Sequence, residues 1–142
     1  MKRVLIADDE PIERMIVSRT IEKYFSEELT VVSAANGREA VEQFFAGDCQ
    51  IALLDIEMPG MNGLEAAEIR KRDKNCSIIF LTAFDEFNYA RRAIVVRAME
   101  YLLKPVEDQE LVAVLEEAVR IAEEQETDRE AGDKKSAEQI SA

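Results

Sequence analysis

Histidine is absent from this chain of 142 residues. The chain therefore has no imidazole that could act as a catalytic base, ligate a metal, carry a phosphoryl group or sense pH near neutrality. Only two cysteines occur, Cys49 and Cys76, and their spacing fits neither a metal motif nor a disulfide framework. Basic residues are also few, since 18 Lys and Arg face 30 Asp and Glu, a formal net charge of -12. This excess argues against a nucleic-acid-binding surface, which needs clustered Lys and Arg.

Long hydrophobic runs are also absent, since none approaches the roughly 20 residues that span a bilayer. The apolar run Val4–Ala7 ends at Asp8, after four residues, which is too short for an export signal. The sequence therefore predicts a cytoplasmic protein without a membrane segment. At this length, and with 47% hydrophobic residues, one compact domain is expected.

Short apolar runs alternate with longer amphipathic segments along most of the chain. The runs are Val4–Ala7, Leu29–Ala34, Ile51–Leu54, Ile78–Leu81 and Tyr101–Leu103. The first, third and fourth are apolar throughout, which is typical of parallel strands covered on both faces. Each apolar run and the amphipathic segment after it predict one strand followed by one helix. Five strand-helix pairs predict the α/β class and a (βα)5 doubly wound, five-stranded parallel sheet with helices on both faces.

The first amphipathic segment begins at Pro11, a residue suited to a first helical turn. Its apolar residues follow at helical spacing and predict the face of a helix: Ile12, Ile16, Val17, Ile21 and Tyr24.

The amino-acid composition changes near residue 122. Residues 1–122 are predicted to form the domain. Residues 123–142, which are polar or small apart from Ile140, are predicted to extend the last helix as a charged linker or to form a disordered tail.

Polar residues follow four of the predicted strands. Asp8 and Asp9 follow the first strand, Asp55 the third, Thr82 the fourth and Lys104 the fifth. The carboxyl ends of parallel strands meet at one edge of the sheet, where ligands gather in doubly wound folds. Each residue alone has an ordinary interpretation as a cap, turn or surface residue. It is unlikely, however, that all four strand ends carry residue types suited to one ligand site by chance.

The residue types at these strand ends suit phosphate chemistry. Three carboxylates in one pocket repel each other unless a cation is present, and Mg2+ is the hard, oxygen-preferring ion that fits them. Lys104 offers a positive charge to a phosphate oxygen, and Thr82 offers a hydroxyl donor. The sequence therefore predicts a site for a carboxylate that becomes phosphorylated.

The sequence resembles the receiver domain of two-component response regulators over about residues 2–122. The resemblance is carried by four stretches, Val4–Pro11, Leu53–Gly63, Leu81–Ala83 and Tyr101–Pro105. It implies a flavodoxin-like sheet with strand order 2-1-3-4-5. It also implies that Asp55 is the phosphoryl acceptor, and that Mg2+ is held by Asp8, Asp9, Asp55 and the backbone carbonyl of Glu57.

The resemblance also assigns roles to residues at the fourth and fifth strands. Lys104 would pair with the phosphoryl group, and the Lys104–Pro105 peptide bond would be cis. Thr82 and Tyr101 would be a switch pair, in which the hydroxyl turns to the phosphoryl group and the ring moves inward behind it. Phosphorylation would thereby change the face made by the fourth helix, fifth strand and fifth helix.

The resemblance implies a signalling switch rather than a metabolic enzyme. Because the chain lacks histidine, a separate sensor histidine kinase is the expected donor, while the domain catalyses its own phosphorylation and slow dephosphorylation with Mg2+. A phosphorylation-dependent homodimer is also expected. The segment Phe84–Ala90 resembles receivers that control an AraC-type helix-turn-helix domain. Transcription would then be regulated through a DNA-binding domain absent from this chain. A fragment of a longer regulator is favoured over a stand-alone receiver, because the tail resembles a charged linker helix.

One position departs from the family. Arg97 stands where a glycine is common, and because arginine disfavours a left-handed helix end, the fourth helix is expected to end differently. Three alternative functions remain open. A phosphohydrolase of the haloacid dehalogenase type would place an Asp-x-Asp nucleophile pair after the first strand, and a flavin-binding module would place a Ser/Thr/Gly-rich loop where Asp8–Pro11 stands. A non-phosphorylated interaction domain on the same fold is the third.

Overall fold

The computed structural model describes residues 1–56, 58, 64–83 and 87–141. In this part of the chain, strands and helices alternate from the first residues to the last. The strands are β1 (Lys2–Ala7), β2 (Leu29–Ala34), β3 (Ile51–Asp55), β4 (Ser77–Thr82) and β5 (Glu100–Leu103). The helices are α1 (Pro11–Phe25), α2 (Gly37–Ala46), α3 (Leu64–Arg72), α4 (Phe87–Val95) and α5 (Asp108–Ser141).

The strands form one parallel sheet in the order β2-β1-β3-β4-β5. This confirms the predicted fold class and strand order. The register pairs Ala7 with Leu54, Asp55 with Leu81 and Thr82 with Leu103, so the carboxyl ends lie side by side. The strand order reverses between β1 and β3, which is where a ligand site is expected in such a sheet.

Each face of the sheet carries its own apolar core. Alternate residues of β3 enter opposite cores, Ala52 and Leu54 on the face covered by α2, α3 and α4, and Ile51 and Leu53 on the face covered by α1 and α5. All five residues of β3 are buried. The uninterrupted apolar runs are therefore explained by burial on both faces of the central strands.

Helix α1 forms where it was predicted, with Pro11 in its first turn. Its apolar face is smaller than its sequence spacing indicates. Ile21 is buried and Val17 is half-buried, but the side chains of Ile12, Ile16 and Tyr24 are exposed. The helix touches the sheet mainly through its last two turns, so its first turns keep apolar side chains in solvent.

Local signals begin and end helix α2. The Asn36 side chain caps the helix by accepting a hydrogen bond from the Glu39 amide at 2.8 Å. At the other end, a β-carbon on Gly47 would lie 2.9 Å from the Gln43 carbonyl oxygen, closer than such atoms approach. Gly47 is therefore required by the space available rather than by its dihedral angles.

Helix α4 ends in a left-handed residue although that residue is not glycine. Arg97 has a φ of 55°. The Ala98 amide donates to the Ala93 carbonyl at 2.8 Å and the Arg97 amide to Ile94 at 3.0 Å, which is the hydrogen-bond pattern of a Schellman cap. The expectation that arginine would change this helix end is wrong, because the surrounding structure imposes the conformation that glycine would adopt more easily.

Arg70 of α3 supports the same helix end. Its guanidinium donates to the carbonyls of Val96 at 2.8 Å and Arg97 at 3.0 Å. It also donates to Cys76 at 2.7 Å and Lys74 at 3.0 Å, just before β4. One side chain thus satisfies four carbonyls at the junction of α3, β4 and α4, which holds the end of α4 in place.

Helix α5 runs for 34 residues, about 51 Å at the usual rise per residue. Ala122 is still buried, and Lys2 forms an ion pair with Glu126, so contacts with the sheet continue slightly past residue 122. The division of the chain at that residue stays a prediction. Among the residues that the structure describes, no helix has the combination of length and hydropathy that a membrane crossing demands.

We expect Arg97→Gly to stabilise the protein by roughly 0.5–1 kcal/mol, because glycine avoids the steric cost of the left-handed conformation. Arg91→Gly is the matched control, since it removes an exposed arginine from the interior of the same helix. That change should destabilise by about 1 kcal/mol. Urea unfolding followed by circular dichroism measures both. Equal losses of stability in the two variants would show that Arg97 is under no strain.

We expect Arg70→Ala to destabilise the protein by about 2–3 kcal/mol, because partly buried carbonyls lose their donors. Lys71→Ala, the removal of an exposed cation from the adjacent position, should change stability by less than about 0.5 kcal/mol. The comparison uses the same urea titration. If the two variants unfold at the same midpoint, the carbonyl contacts of Arg70 contribute nothing net.

Candidate functional site

Three carboxylates converge at the carboxyl edge of the sheet. Asp8 and Asp9 directly follow β1, Asp55 ends β3, and these strands are neighbours. One oxygen from each carboxylate lies within 4.8 Å of the other two. Asp8 and Asp55 are only 4% and 6% exposed, whereas Asp9 is exposed. The convergence predicted from the strand ends is therefore present, with two carboxylates held inside and one open to solvent.

Lys104 reaches into this acidic cluster from the end of β5. Its Nζ lies 3.0 Å from Asp8 Oδ2 and 3.3 Å from Asp55 Oδ2, and it also donates to the Glu13 carboxylate. The backbone amide of Lys104 donates to the Thr82 carbonyl at 2.7 Å, which fixes the base of the side chain beside β4. The Lys104–Pro105 peptide bond is cis.

The charges of the cluster stabilise one another. Burial raises the pKa of Asp8, but the hydrogen bond from the Glu10 amide at 2.9 Å and the contacts with Glu13 and Lys104 bring it below its usual value. Burial lowers the pKa of Lys104, but Glu13, Asp8 and Asp55 together raise it above its ordinary value. The ammonium therefore stays charged and compensates the carboxylates.

Glu13 belongs to the site although the sequence reasoning missed it. The hydrogen bond from Lys104 lowers its pKa, while the adjacent Asp8 carboxylate and burial raise it, and the net shift is upward. The available signal was Pro11: a helix starting there places its first turn, with Glu13, over the end of β1. In the next position, Arg14 donates to the Asp8 carbonyl at 2.5 Å and holds the backbone of that turn.

The donor set suits a small divalent cation. Asp8, Asp9 and Asp55 offer hard oxygen ligands at a spacing that one ion can bridge, and the exposure of Asp9 leaves room for water ligands. Mg2+ prefers this combination of a few carboxylates and retained water. The residues therefore fit the magnesium ion expected from the sequence.

Comparison with known protein families decides the classification. The model of the response regulator receiver domain matches residues 4–116. The chain belongs to this family. Residues 4–116 include the whole sheet except its first two residues, and they include the acidic cluster and Lys104.

Two of the curated relatives of this receiver domain are regulators about twice as long as the stretch that matches. The chain is 41% identical over 118 residues to the positive alginate biosynthesis regulatory protein of Pseudomonas aeruginosa, a match covering 82% of the chain and 47% of that protein. It is 37% identical over 115 residues to the transcriptional regulatory protein BtsR of Salmonella typhi, covering 81% and 47%. The chain thus spans about half of these relatives.

A solved structure with a similar fold was determined with a magnesium complex bound. The response regulator protein TrrA of Thermotoga maritima, in complex with Mg2+-BeF, superposes with a TM-score of 0.71 at 36% identity. The match covers 83% of this chain and 99% of that one.

The two predicted switch residues lie on the neighbouring strands β4 and β5. Thr82 is fully buried at the end of β4 and pairs with Leu103. Tyr101 pairs with Phe80 and is half-buried against the core under α2, α3 and α4. The receiver thus has the hydroxyl and the ring on adjacent strands, as the switch hypothesis requires.

Some predicted site residues fall outside the described part of the chain. They are Glu57, whose carbonyl was expected to ligate Mg2+, and Phe84, the first residue of the segment resembling AraC-type receivers. The thiols of Cys49 and Cys76, in contrast, are described and buried, and burial raises the pKa of each to about 11. They are protonated at neutral pH and unsuited to nucleophilic chemistry.

Proposed function

We propose that this receiver accepts a phosphoryl group on Asp55 from a phosphohistidine of a separate sensor histidine kinase. The observation that carries the proposal is the buried Asp55 carboxylate, with Lys104 at 3.3 Å and two further carboxylates within ligating distance. The oxygen of Asp55 would attack phosphorus, an O–P bond would form, and the N–P bond to the donor histidine would break. The imidazole leaves with the electron pair of that bond.

The residues of the site have separate tasks in this transfer. Asp8, Asp9, Asp55 and the Glu57 carbonyl would hold Mg2+, which supplies positive charge to the phosphoryl oxygens. Lys104 adds a charge on the other side, held there before the reaction by its contacts with Asp8 and Asp55. The site would also hydrolyse the aspartyl phosphate slowly, which makes the receiver a switch with its own reset.

The switch would act through Thr82 and Tyr101. The buried Thr82 hydroxyl would donate a charge-assisted hydrogen bond to a phosphoryl group on Asp55. Tyr101 would fill the space that the hydroxyl vacates, which changes the face formed by α4, β5 and α5. This face carries exposed apolar side chains, namely Ile94, Val95 and Leu103, a feature that supports a phosphorylation-dependent homodimer there.

The output of the switch would be transcription. The relatives of this receiver include regulators of twice its length, one of them named as a transcriptional regulator. We infer that a DNA-binding domain, of the AraC type that Phe84–Ala90 suggests, lies outside this chain in a cytoplasmic regulator. Residues 123–142, which continue α5 as far as Ser141, would serve as the charged linker to it.

Magnesium should stabilise the receiver. Adding MgCl2 should raise the melting temperature above that in NaCl of equal ionic strength. The bound ion adds about 1.4 kcal/mol to the free energy of unfolding for each tenfold excess over the dissociation constant. Asp9→Asn should abolish most of this gain, while Asp48→Asn, at the opposite edge of the sheet, should retain it. Differential scanning fluorimetry measures the shift. An equal response of all three proteins would place the ion elsewhere.

Asp55 should be the residue that takes up the phosphoryl group. Incubation with acetyl phosphate and Mg2+ should add one phosphoryl group by intact mass, and Asp55→Ala should remove this adduct completely. Asp73→Ala, which removes a half-buried carboxylate just before β4 and away from the acidic cluster, should label like the wild type. Size-exclusion chromatography of the labelled protein tests dimer formation. Unchanged labelling of Asp55→Ala would move the acceptor to another residue.

A further inference from the structure

The Lys104 ammonium is shared among three carboxylates. It donates to Glu13 and lies 3.0 Å from Asp8 and 3.3 Å from Asp55. An ammonium has three N–H donors, so these partners account for its capacity. A phosphoryl group on Asp55 can therefore engage Lys104 only if the ammonium gives up part of an existing contact.

Glu13 is the partner that differs from the other two. Asp8 and Asp55 belong to the acidic cluster that suits the metal, and both are almost fully buried. Glu13 comes from the first turn of α1, and its side chain is 38% exposed. It therefore contacts Lys104 from a position that is partly open to solvent.

Glu13 also lies at a cavity that extends to the acidic cluster. Together with Asp8 and Lys104 it lines a cavity of about 460 Å³. The remaining walls are largely apolar and come from α1, from the ends of β4 and β5, and from the start of α5. A small anion that enters this cavity meets the Glu13 carboxylate as well as the Lys104 ammonium.

We propose that Glu13 is a positioning residue that holds Lys104 in the resting state and disfavours phosphorylation by small, highly anionic donors. The proposal rests on the function proposed for Asp55. The negative charge of Glu13 opposes the approach of a free acyl phosphate. The hydrogen bond between Glu13 and Lys104 delays the transfer of Lys104 to the phosphoryl oxygens. A donor carried on a protein can offset this barrier with binding energy from contacts remote from the reacting group.

The reaction to be measured is phosphoryl transfer from acetyl phosphate. A carboxylate oxygen of Asp55 forms a bond to phosphorus, the bond between phosphorus and the acyl oxygen breaks, and acetate leaves with the electron pair. Initial rates follow from intact mass at fixed Mg2+ concentration. Glu13→Gln removes the charge with little change in shape and should accelerate uptake by about tenfold. Glu13→Ala should also accelerate it.

Asp108→Asn is the matched control. Asp108 lines the same cavity and is exposed, so the change removes one negative charge there without touching the contacts of Lys104. Its rate should stay within about twofold of the wild-type rate. If Asp108→Asn gains as much as Glu13→Gln, general charge in the cavity sets the rate and the positioning role is overturned.

Two further measurements separate this role from a structural one. The gain of Glu13→Gln should be smaller with phosphoramidate, which carries less negative charge than acetyl phosphate, and it should shrink at high salt concentration. A gain that is independent of donor charge and salt would overturn the proposal. If the wild type labels on Asp55 and Glu13→Gln labels no faster, only this inference fails. If Asp55→Ala labels like the wild type, the proposed function itself fails.

Discussion

The ammonium of Lys104 compensates carboxylates that the fold forces together. Because β1 and β3 are neighbours in the parallel sheet, Asp8 and Asp55 lie side by side at its carboxyl edge. Burying two carboxylates without a counter-charge is costly, so the lysine at the end of β5 is as much a structural requirement as a functional one. The same contacts place the positive charge where a phosphoryl group on Asp55 would need it.

The rest of the molecule keeps this edge in position. Apolar cores on both faces hold the central strands, and all five residues of β3 are buried up to and including Asp55. The Glu10 amide and Arg14 fix the turn after β1. At the opposite edge of the sheet, Arg70 ties the end of α4 to the start of β4. The strands that carry the proposed switch residues thus lie next to a helix, α4, whose C-terminal end is anchored.

The acidic residues of the chain differ in what they do, depending on where they lie. Some of the charge lies on exposed helix surfaces, as in the Arg120 network with Glu117 and Glu124 on α5, where ion pairs contribute little to stability. Asp8 and Asp55 at the carboxyl edge differ because they are buried, lie close together and are compensated by the Lys104 ammonium. Their arrangement, rather than the net charge of the chain, connects this receiver to phosphoryl chemistry.

The sequence alone determined the alternation of strands and helices, because uninterrupted apolar runs and helical spacing report burial directly. It also determined that Asp8, Asp9, Asp55, Thr82 and Lys104 share one edge, because strand ends in a parallel sheet must meet. Tertiary structure decided the rest. The exposure of Ile12 and Ile16 depends on how far α1 tilts onto the sheet, and the left-handed Arg97 depends on contacts from Arg70 that are 27 residues away in the chain. The contact between Glu13 and Lys104 joins residues 91 positions apart, and spacing along a chain carries no information about which side chains meet at that distance.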